Sequence, residues 1–459
     1  MMAPSLAEAA GVDDDVRREA LARALELVRS HELHTILISL CDGSGASRVK
    51  SFRASDFERI ATVGIPYQSG VLSLDSGADF VAGTGFDFEL RGGCFLLLPD
   101  PATLTPTPWS PGTAVVMGDA YFEGGSPVAA TPRHTARRLL AALEARGLEI
   151  SWGWEFEFYT FRRDASGELE PTTPDGQALH QVRHRQVEPM LDALRRWLAP
   201  AGIELDDGIH EYGPGQLEVN FPPGRGLAAI DRAFFFRLAV KEILAQDGVV
   251  ATFMTKPIQG RAASACHLHQ ALYDRAGANV FADESDPDGL SDTCRRWMSG
   301  QLVNADALTA LTTPTVNGYK RYAPNSFAPL VASWDLENRT TLVRVPLGRG
   351  QNTRIESRLP EAATIPYIAA AGMIATGMLG LDERQAADRF RAGNAYESDL
   401  PRLPESLGRA LDALESAPAL SALLGGEFLQ LYVTLKRHEI RRFEATISEW
   451  ERNEYLELS

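Results

Sequence analysis

The segment Trp154-Glu-Phe-Glu-Phe158 alternates aromatic and acidic residues. A period of two belongs to a β-strand, whose successive side chains point to opposite faces. Trp152, Trp154, Phe156 and Phe158 are thereby assigned to a core, and Glu155 and Glu157 to the face opposite. The same spacing recurs in Gln216 with Glu218, in His267 with His269, and in Arg354 with Glu356 and Arg358, while Glu211 lies just upstream of Glu218. One Glu-x-Glu pair is ordinarily a solvated strand face. Four such segments and Glu211 in one chain, set against an aromatic core and beside abundant arginine, indicate an enzyme site. Carboxylates so crowded require cations between them.

A chain of 459 residues buries a sizeable core and has room for one large and one smaller domain. Its formal net charge of −16 argues against a nucleic-acid or anionic-membrane surface, which needs a basic patch. Cys41, Cys94, Cys266 and Cys294 are scattered, without the close spacing of a zinc site or a disulfide framework, so reduced thiols and a cytoplasmic location are expected. The N-terminal stretch carries Asp13, Asp14, Asp15, Arg17 and Arg18 rather than a basic start and an apolar run, which is unlike a signal peptide. Residues 362–381 are nearly uncharged, but Thr364, Pro366, Gly372, Thr376 and Gly377 dilute them, and a buried core helix is expected rather than a membrane span.

Residues 16–30 read as an amphipathic helix, 35–40 as an apolar strand, and the stretch from 45 to 121 as strand-like and rich in Gly and Pro. After the loop at 124–132 long helices take over, at 134–146, 183–198 and 227–246, and 404–456 is again helical. The expected division is an N-terminal domain over 1–128 and a larger domain over 129–459.

Taken in order, Trp154-Glu-Phe-Glu-Phe158, Gly215-Gln-Leu-Glu218, Met254-Thr-Lys-Pro257, His267-Leu-His269, Pro314-Thr-Val-Asn-Gly-Tyr-Lys-Arg321, Asn338-Arg339, Arg344 and Arg354-Ile-Glu-Ser-Arg358 resemble the signature segments of bacterial type I glutamine synthetases. The resemblance implies an α+β fold, with a small β-grasp domain followed by a catalytic domain built on a curved antiparallel sheet. It implies ATP as substrate, Mg2+ or Mn2+ as cofactor, and a homo-oligomer of two hexameric rings with sites shared between neighbouring subunits. Glu157, Glu211 and Glu218 resemble ligands of the metal beside the acceptor carboxylate. Glu155, His267 and Glu356 resemble ligands of the metal bridging the nucleotide phosphates. By the same resemblance His269, Arg339, Arg344 and Arg354 hold ATP and the transferring phosphoryl, Arg321 and Arg358 clamp the glutamate carboxylates, and Arg339, Arg358 and Glu356 act in catalysis. Oxygen ligands with one imidazole suit Mg2+ or Mn2+, and guanidinium forks suit phosphate oxygens.

The chain departs from the family pattern at the acceptor end. The family has a glutamate in a loop after the Lys-Arg pair, which takes a proton from ammonium; here the loop reads Pro324-Asn-Ser-Phe-Ala-Pro329, with Phe327 in that place. A second acid, from the N-terminal domain, aligns with Gln68. Ala263 replaces a glycine where the glutamate amino group is held, Ala271 replaces a serine near the nucleotide, and Tyr396-Glu-Ser-Asp-Leu-Pro401 does not reproduce the family's short adenylylation loop. Without both acids an ammonium charge is left unpaired. The expected activity is therefore ATP-dependent formation of a γ-glutamylamide from glutamate and a primary amine other than ammonia, through a γ-glutamyl phosphate, as in relatives resembling γ-glutamyl-amide and γ-glutamyl-polyamine synthetases. The alternatives are glutamine synthetase itself and a catalytically silent scaffold on the same fold.

Overall fold

The computed structural model describes residues 4–87, 93–383 and 387–457. Near the N-terminus the helix Asp15–Ser30 precedes a hairpin of β1 (Thr35–Cys41) and β2 (Ser47–Arg53). With β3 (Ile65–Gln68), β4 (Cys94–Pro99), β5 (Thr105–Pro106) and β6 (Thr113–Tyr121) these form a sheet ordered β2-β1-β6-β4-β3, with β5 on β6 and a parallel β1/β6 pair at the centre. Within the stretch expected to be strand throughout, a helix forms at Phe57–Val63. It buries Phe57, Ile60 and Ala61, the i, i+3, i+4 stripe of one helical face, in only two turns.

The larger sheet is organised by one strand, β7 (Leu148–Arg163). Five others pair with it directly: β8 (Leu169–Pro171), β10 (Gln216–Asn220), β11 (Gly224–Arg225), β12 (Val249–Thr252) and β13 (Cys266–Asp274). β9 (Asp207–His210) extends it beyond β10, and β16 (Ile355–Ser357), β15 (Val343–Val345) and β14 (Trp334–Leu336) extend it beyond β13. All pairs are antiparallel except β14 with β15. Trp152, Trp154, Phe156 and Phe158 are fully buried, as their alternation requires. Trp154 stacks on Phe156, and Phe156 meets Phe236 of the helix Gly226–Ala245 at 5.2 Å between centroids. The helix Pro366–Glu383 is buried along most of its length, and among the described residues no helix is long and apolar enough to cross a membrane.

The two sheets share side chains rather than standing apart. Leu431 and Leu435 of the helix Gly426–Glu444 enter the small core, while Trp109, Val115 and Met117 enter the large one. Between them lies Arg133, whose guanidinium donates to Asp119 (2.6 Å), to Asp100 (2.8 Å) and twice to Asp231 (2.7 and 2.8 Å); Tyr367 also donates to Asp231. Asp100 and Asp119 belong to the small-sheet region and Asp231 to a helix over the large one. Removing the arginine strands buried carboxylates, which costs about 3–5 kcal/mol. Arg133→Met should lower the urea midpoint accordingly at fixed protein concentration, whereas exchanging the exposed Arg23 should leave it within error.

Candidate active site

Register brings the sequence-marked residues onto one face. Glu157 on β7 is opposite Glu218 on β10; Glu155 is opposite His267 on β13; His269 is opposite Glu356 on β16; and Glu356 is opposite Arg344 on β15. Directly opposed residues are side-chain neighbours in an antiparallel pair, so five strands deliver one continuous row. Gly153, two residues before Glu155, is opposite His269, where a Cβ would stand 3.2 Å from the histidine Cβ.

Within the row His267 Nδ1 lies 2.5 Å from Glu155 Oε1 and 3.7 Å from Glu356 Oε1, and His269 Nε2 is 3.5 Å from Glu155 Oε2. Glu157 accepts from the Ala265 amide at 2.9 Å and from Gln216 Nε2 at 3.2 Å. Gln216 also donates to Ser264 Oγ and the Ala263 carbonyl, so it is a positioning residue that ties Glu157 to the segment before β13. Its signal in the sequence was its i, i+2 spacing from Glu218.

The charges divide into two regimes. Burial alone would raise Glu356, but Arg358 and then His269 and His267 bring it down to about 2; Arg344 also donates to it. Burial likewise opposes ionisation of Glu155, yet its contact with His267 holds it well below the usual carboxylate range. At the other end burial and then Glu211 push Glu157 up to about 8, and burial with Glu155, Glu157 and Glu211 pushes Glu218 up to about 10. Glu211 is raised too, mainly by burial. Burial and the nearby Arg358 lower His267, leaving a neutral imidazole, the form that ligates metal.

This donor set fits divalent cations. Ligand atoms of Glu155, Glu157 and His267 lie within 4.8 Å of one another, and so do those of Glu155, His269 and Glu356. Three carboxylates with two imidazoles are hard oxygen donors plus nitrogen, as Mg2+ or Mn2+ takes, and His269 Nδ1 is buried without a hydrogen-bond partner. Glu211 and Glu218 stand outside both close groups, though electrostatically joined to them.

The arginines separate by role. Arg344 and Arg354, with His269 and Glu155, line a cavity of about 430 Å3 that also exposes Ala271 and Tyr273. Arg339 is in an exposed turn between β14 and β15, away from that lining. Arg321 is buried and donates to the carbonyls of Leu359 (2.7 Å) and Arg358 (3.1 Å), a brace under the strand that carries Glu356. Arg358 donates to Glu356 Oε1 at 2.6 Å and to the Phe327 carbonyl at 3.2 Å, joining the acid row to the loop. Phe327 is exposed and stacks on Tyr212. Gln68 is exposed on the edge strand β3, paired with Cys94, and within one chain is not among the residues of this face.

Residues 129–455 match the model of the glutamine synthetase catalytic domain. The chain belongs to the glutamine synthetase family. It is 33% identical to a gamma-glutamylethanolamide synthetase of Streptomyces coelicolor, over 98% of each chain. It is 36% identical to a glutamine synthetase of Halobacterium salinarum, over 78% of this chain and 82% of that one. Among solved structures it resembles a complex of GmaS with ADP, with a TM-score of 0.83 and 28% identity, covering 94% of this chain and 99% of the other. The glutamine synthetase family comprises ATP-dependent carbon–nitrogen ligases.

The protonation pattern makes the cation requirement testable. Glu157 and Glu218 hold protons in the folded, metal-free protein that an unfolded chain releases near pH 4.5. Folded protein therefore binds the extra protons between about pH 4.5 and 8–10, and its stability falls as pH rises through that window. Glu155 and Glu356 act oppositely, their contribution being lost as pH falls below about 4.5. The Tm of chelator-treated protein should decline from pH 6 to pH 9, and the rise in Tm on adding Mg2+ or Mn2+ should grow over the same range. Calorimetry in two buffers of different ionisation enthalpy should show proton release on binding; a metal effect independent of pH would contradict the crowding.

Proposed function

We propose that this protein uses ATP to join the γ-carboxylate of glutamate to a primary amine bearing a carbon substituent, giving a γ-glutamylamide, ADP and phosphate. The observation that carries this reading is Phe327: an exposed aromatic ring, anchored through its carbonyl by Arg358, occupies the loop where an acid would bind ammonium and take its proton. An apolar wall leaves an ammonium charge without a partner and offers contact area to a carbon substituent. The match along the full chain to a gamma-glutamylethanolamide synthetase supports the same reading.

The ATP γ-phosphoryl passes to the glutamate γ-carboxylate, and the neutral amine then attacks the acyl carbon. Phosphate leaves and the amine nitrogen gives up a proton. Residues 129–459 supply this chemistry. His269, Arg344 and Arg354 hold the nucleotide in the cavity. Arg339 and Arg358 hold the transferring phosphoryl, Arg321 and Arg358 act on the glutamate carboxylates, and Ala263 borders the amino group. Glu155, His267 and Glu356 would hold one divalent cation and Glu157, Glu211 and Glu218 a second, with Glu155 near enough to His269 and Glu157 to serve both. Bound Mg2+ or Mn2+ supplies Lewis-acid polarisation of the phosphoryl oxygens and neutralises charge in flight. In a ring of subunits the β-grasp-like domain over 1–128 would present Gln68 to a neighbouring site, in a dodecamer of two hexameric rings.

Glutamine synthetase activity is the competing reading, favoured by the likeness to the Halobacterium enzyme. A silent scaffold is disfavoured because mutually repelling buried carboxylates are costly to keep without a use. Phosphate release with Mg2+, ATP and glutamate, measured across ammonium and a panel of amines, separates the three: preference for ammonium over every amine selects glutamine synthetase, and no release with any of them selects the scaffold. Glu157→Ala and Glu356→Ala should each lower turnover by more than about tenfold with the oligomer intact. Phe327→Glu should shift relative specificity toward ammonium by roughly ten- to a hundredfold, and Gln68→Asp should add to it.

A further inference from the structure

Two exposed rings meet at the mouth of the site from segments far apart in the chain. Tyr212 and Phe327 are 62% and 48% exposed, and their rings stack with centroids 6.2 Å apart and planes at 30°. Their backbones are held firmly while their side chains face solvent. Next to Tyr212, a Cβ on Gly176 would fall 1.7 Å from the Tyr212 carbonyl oxygen and one on Gly213 would fall 1.9 Å from Tyr159 Oη, so this turn is packed too tightly to shift. The Gly215 amide pins it further by donating to Thr173 Oγ1 at 2.6 Å. On the other side Phe327 has φ +58°, unusual for a bulky side chain, and is kept there by Arg358 on its own carbonyl and by Tyr396 Oη on the Ala328 carbonyl at 3.2 Å.

Apolar rings fixed in place yet left open to water have the form of a contact surface awaiting a ligand. Their position names the ligand. The Tyr212 amide donates to Glu211 Oε2 at 3.1 Å, and the Phe327 carbonyl is bound by the arginine that also holds Glu356. The pair therefore borders the acid row, at the end away from the nucleotide cavity lined by Arg354 and Tyr273.

We propose that Tyr212 and Phe327 together form the wall against which the carbon substituent of the acceptor amine packs, and that Tyr212 is a specificity-determining residue favouring uncharged alkyl or aryl substituents. This inference rests on the amine-ligase reading. The rings supply dispersion area and π faces but no carboxylate for a second ammonium at the far end of a polyamine.

The test is a nucleophile panel with full-length enzyme, Mg2+, ATP and glutamate: hydroxylamine, which has no carbon substituent, against isopropylamine, aniline and putrescine. The readout is kcat/KM for isopropylamine or aniline divided by that for hydroxylamine. Tyr212→Ala should lower this ratio at least fivefold, chiefly through the amine KM, and Tyr212→Phe should retain more than half of it. Phe327→Ala, on the opposite side of the stack, should lower it similarly. A smaller fall in Tyr212→Ala overturns the proposal, as does a Tyr212→Phe loss equal to that of Ala, or a wild-type preference for putrescine over both uncharged amines. Should the wild type form the hydroxamate yet accept no carbon-bearing amine, the amine-ligase reading fails instead.

Discussion

Burial of Glu157, Glu211 and Glu218, together with repulsion among them and Glu155, is the force against which the rest of this structure is built. Pushing two buried carboxyls up to about 8 and about 10 means that several kcal/mol oppose ionising them in the metal-free protein. The strand holding two of them does not yield because its other face is locked. Phe156 and Phe158 are buried against Phe221, Phe236 and Phe253, and Trp154 and Trp152 continue the cluster from Phe156; truncating one such ring costs about 3–5 kcal/mol. Aromatic packing on one side of β7 thus maintains a charge density on the other that would otherwise relax, and that density is what makes a cation site.

Arg358 extends this constraint toward the acceptor. It neutralises Glu356 with one nitrogen and fixes the Phe327 carbonyl with another, while Arg321 braces the carbonyls of residues 358 and 359 from beneath. Acid row, strand end and loop are therefore one hydrogen-bonded unit. The loop of Phe327 is held through its backbone carbonyl by the same guanidinium that stabilises a candidate metal ligand, so this contact does not involve the side chain at 327.

Much of this was legible in the sequence because it is carried by period-two alternation. The core face of β7 and the acid face follow once the strands are recognised, and the grouping of Glu155, His267 and Glu356 was implied by family resemblance. The register adds which residue meets which, including His269 opposite Glu356. Other features were hidden for physical reasons. The helix Phe57–Val63 is two turns long, too short for periodicity to stand out among Gly- and Pro-rich strands. By family resemblance Arg321 was expected to clamp substrate, but its guanidinium hydrogen bonds go to backbone carbonyls, which no side-chain pattern records. Tyr212 carried no motif at all, since its stacking on Phe327 joins loops more than a hundred residues apart. Gln68, aligned with an acid of the acceptor site, belongs to the other sheet, so any role there requires a second copy of the chain.

Replacing an acid by Phe327 alters more than shape. With no carboxylate at that position, an acid beside the aromatic pair is Glu211, which accepts from the Tyr212 amide and whose proton affinity is raised mainly by burial. An apolar wall also disfavours the charged form of any amine that enters, by the same desolvation that lowers the pKa of a buried lysine. In the proposed reaction a substituent covering the rings would favour the neutral amine by desolvation, where an acidic loop would do so by accepting the proton. Ammonium, having no carbon to contact the rings, gains nothing from burial to offset its lost hydration; a substituted amine gains contact area in proportion to its size. On the proposed reading, discrimination between them would follow from one physical change, the exchange of a charge for a surface.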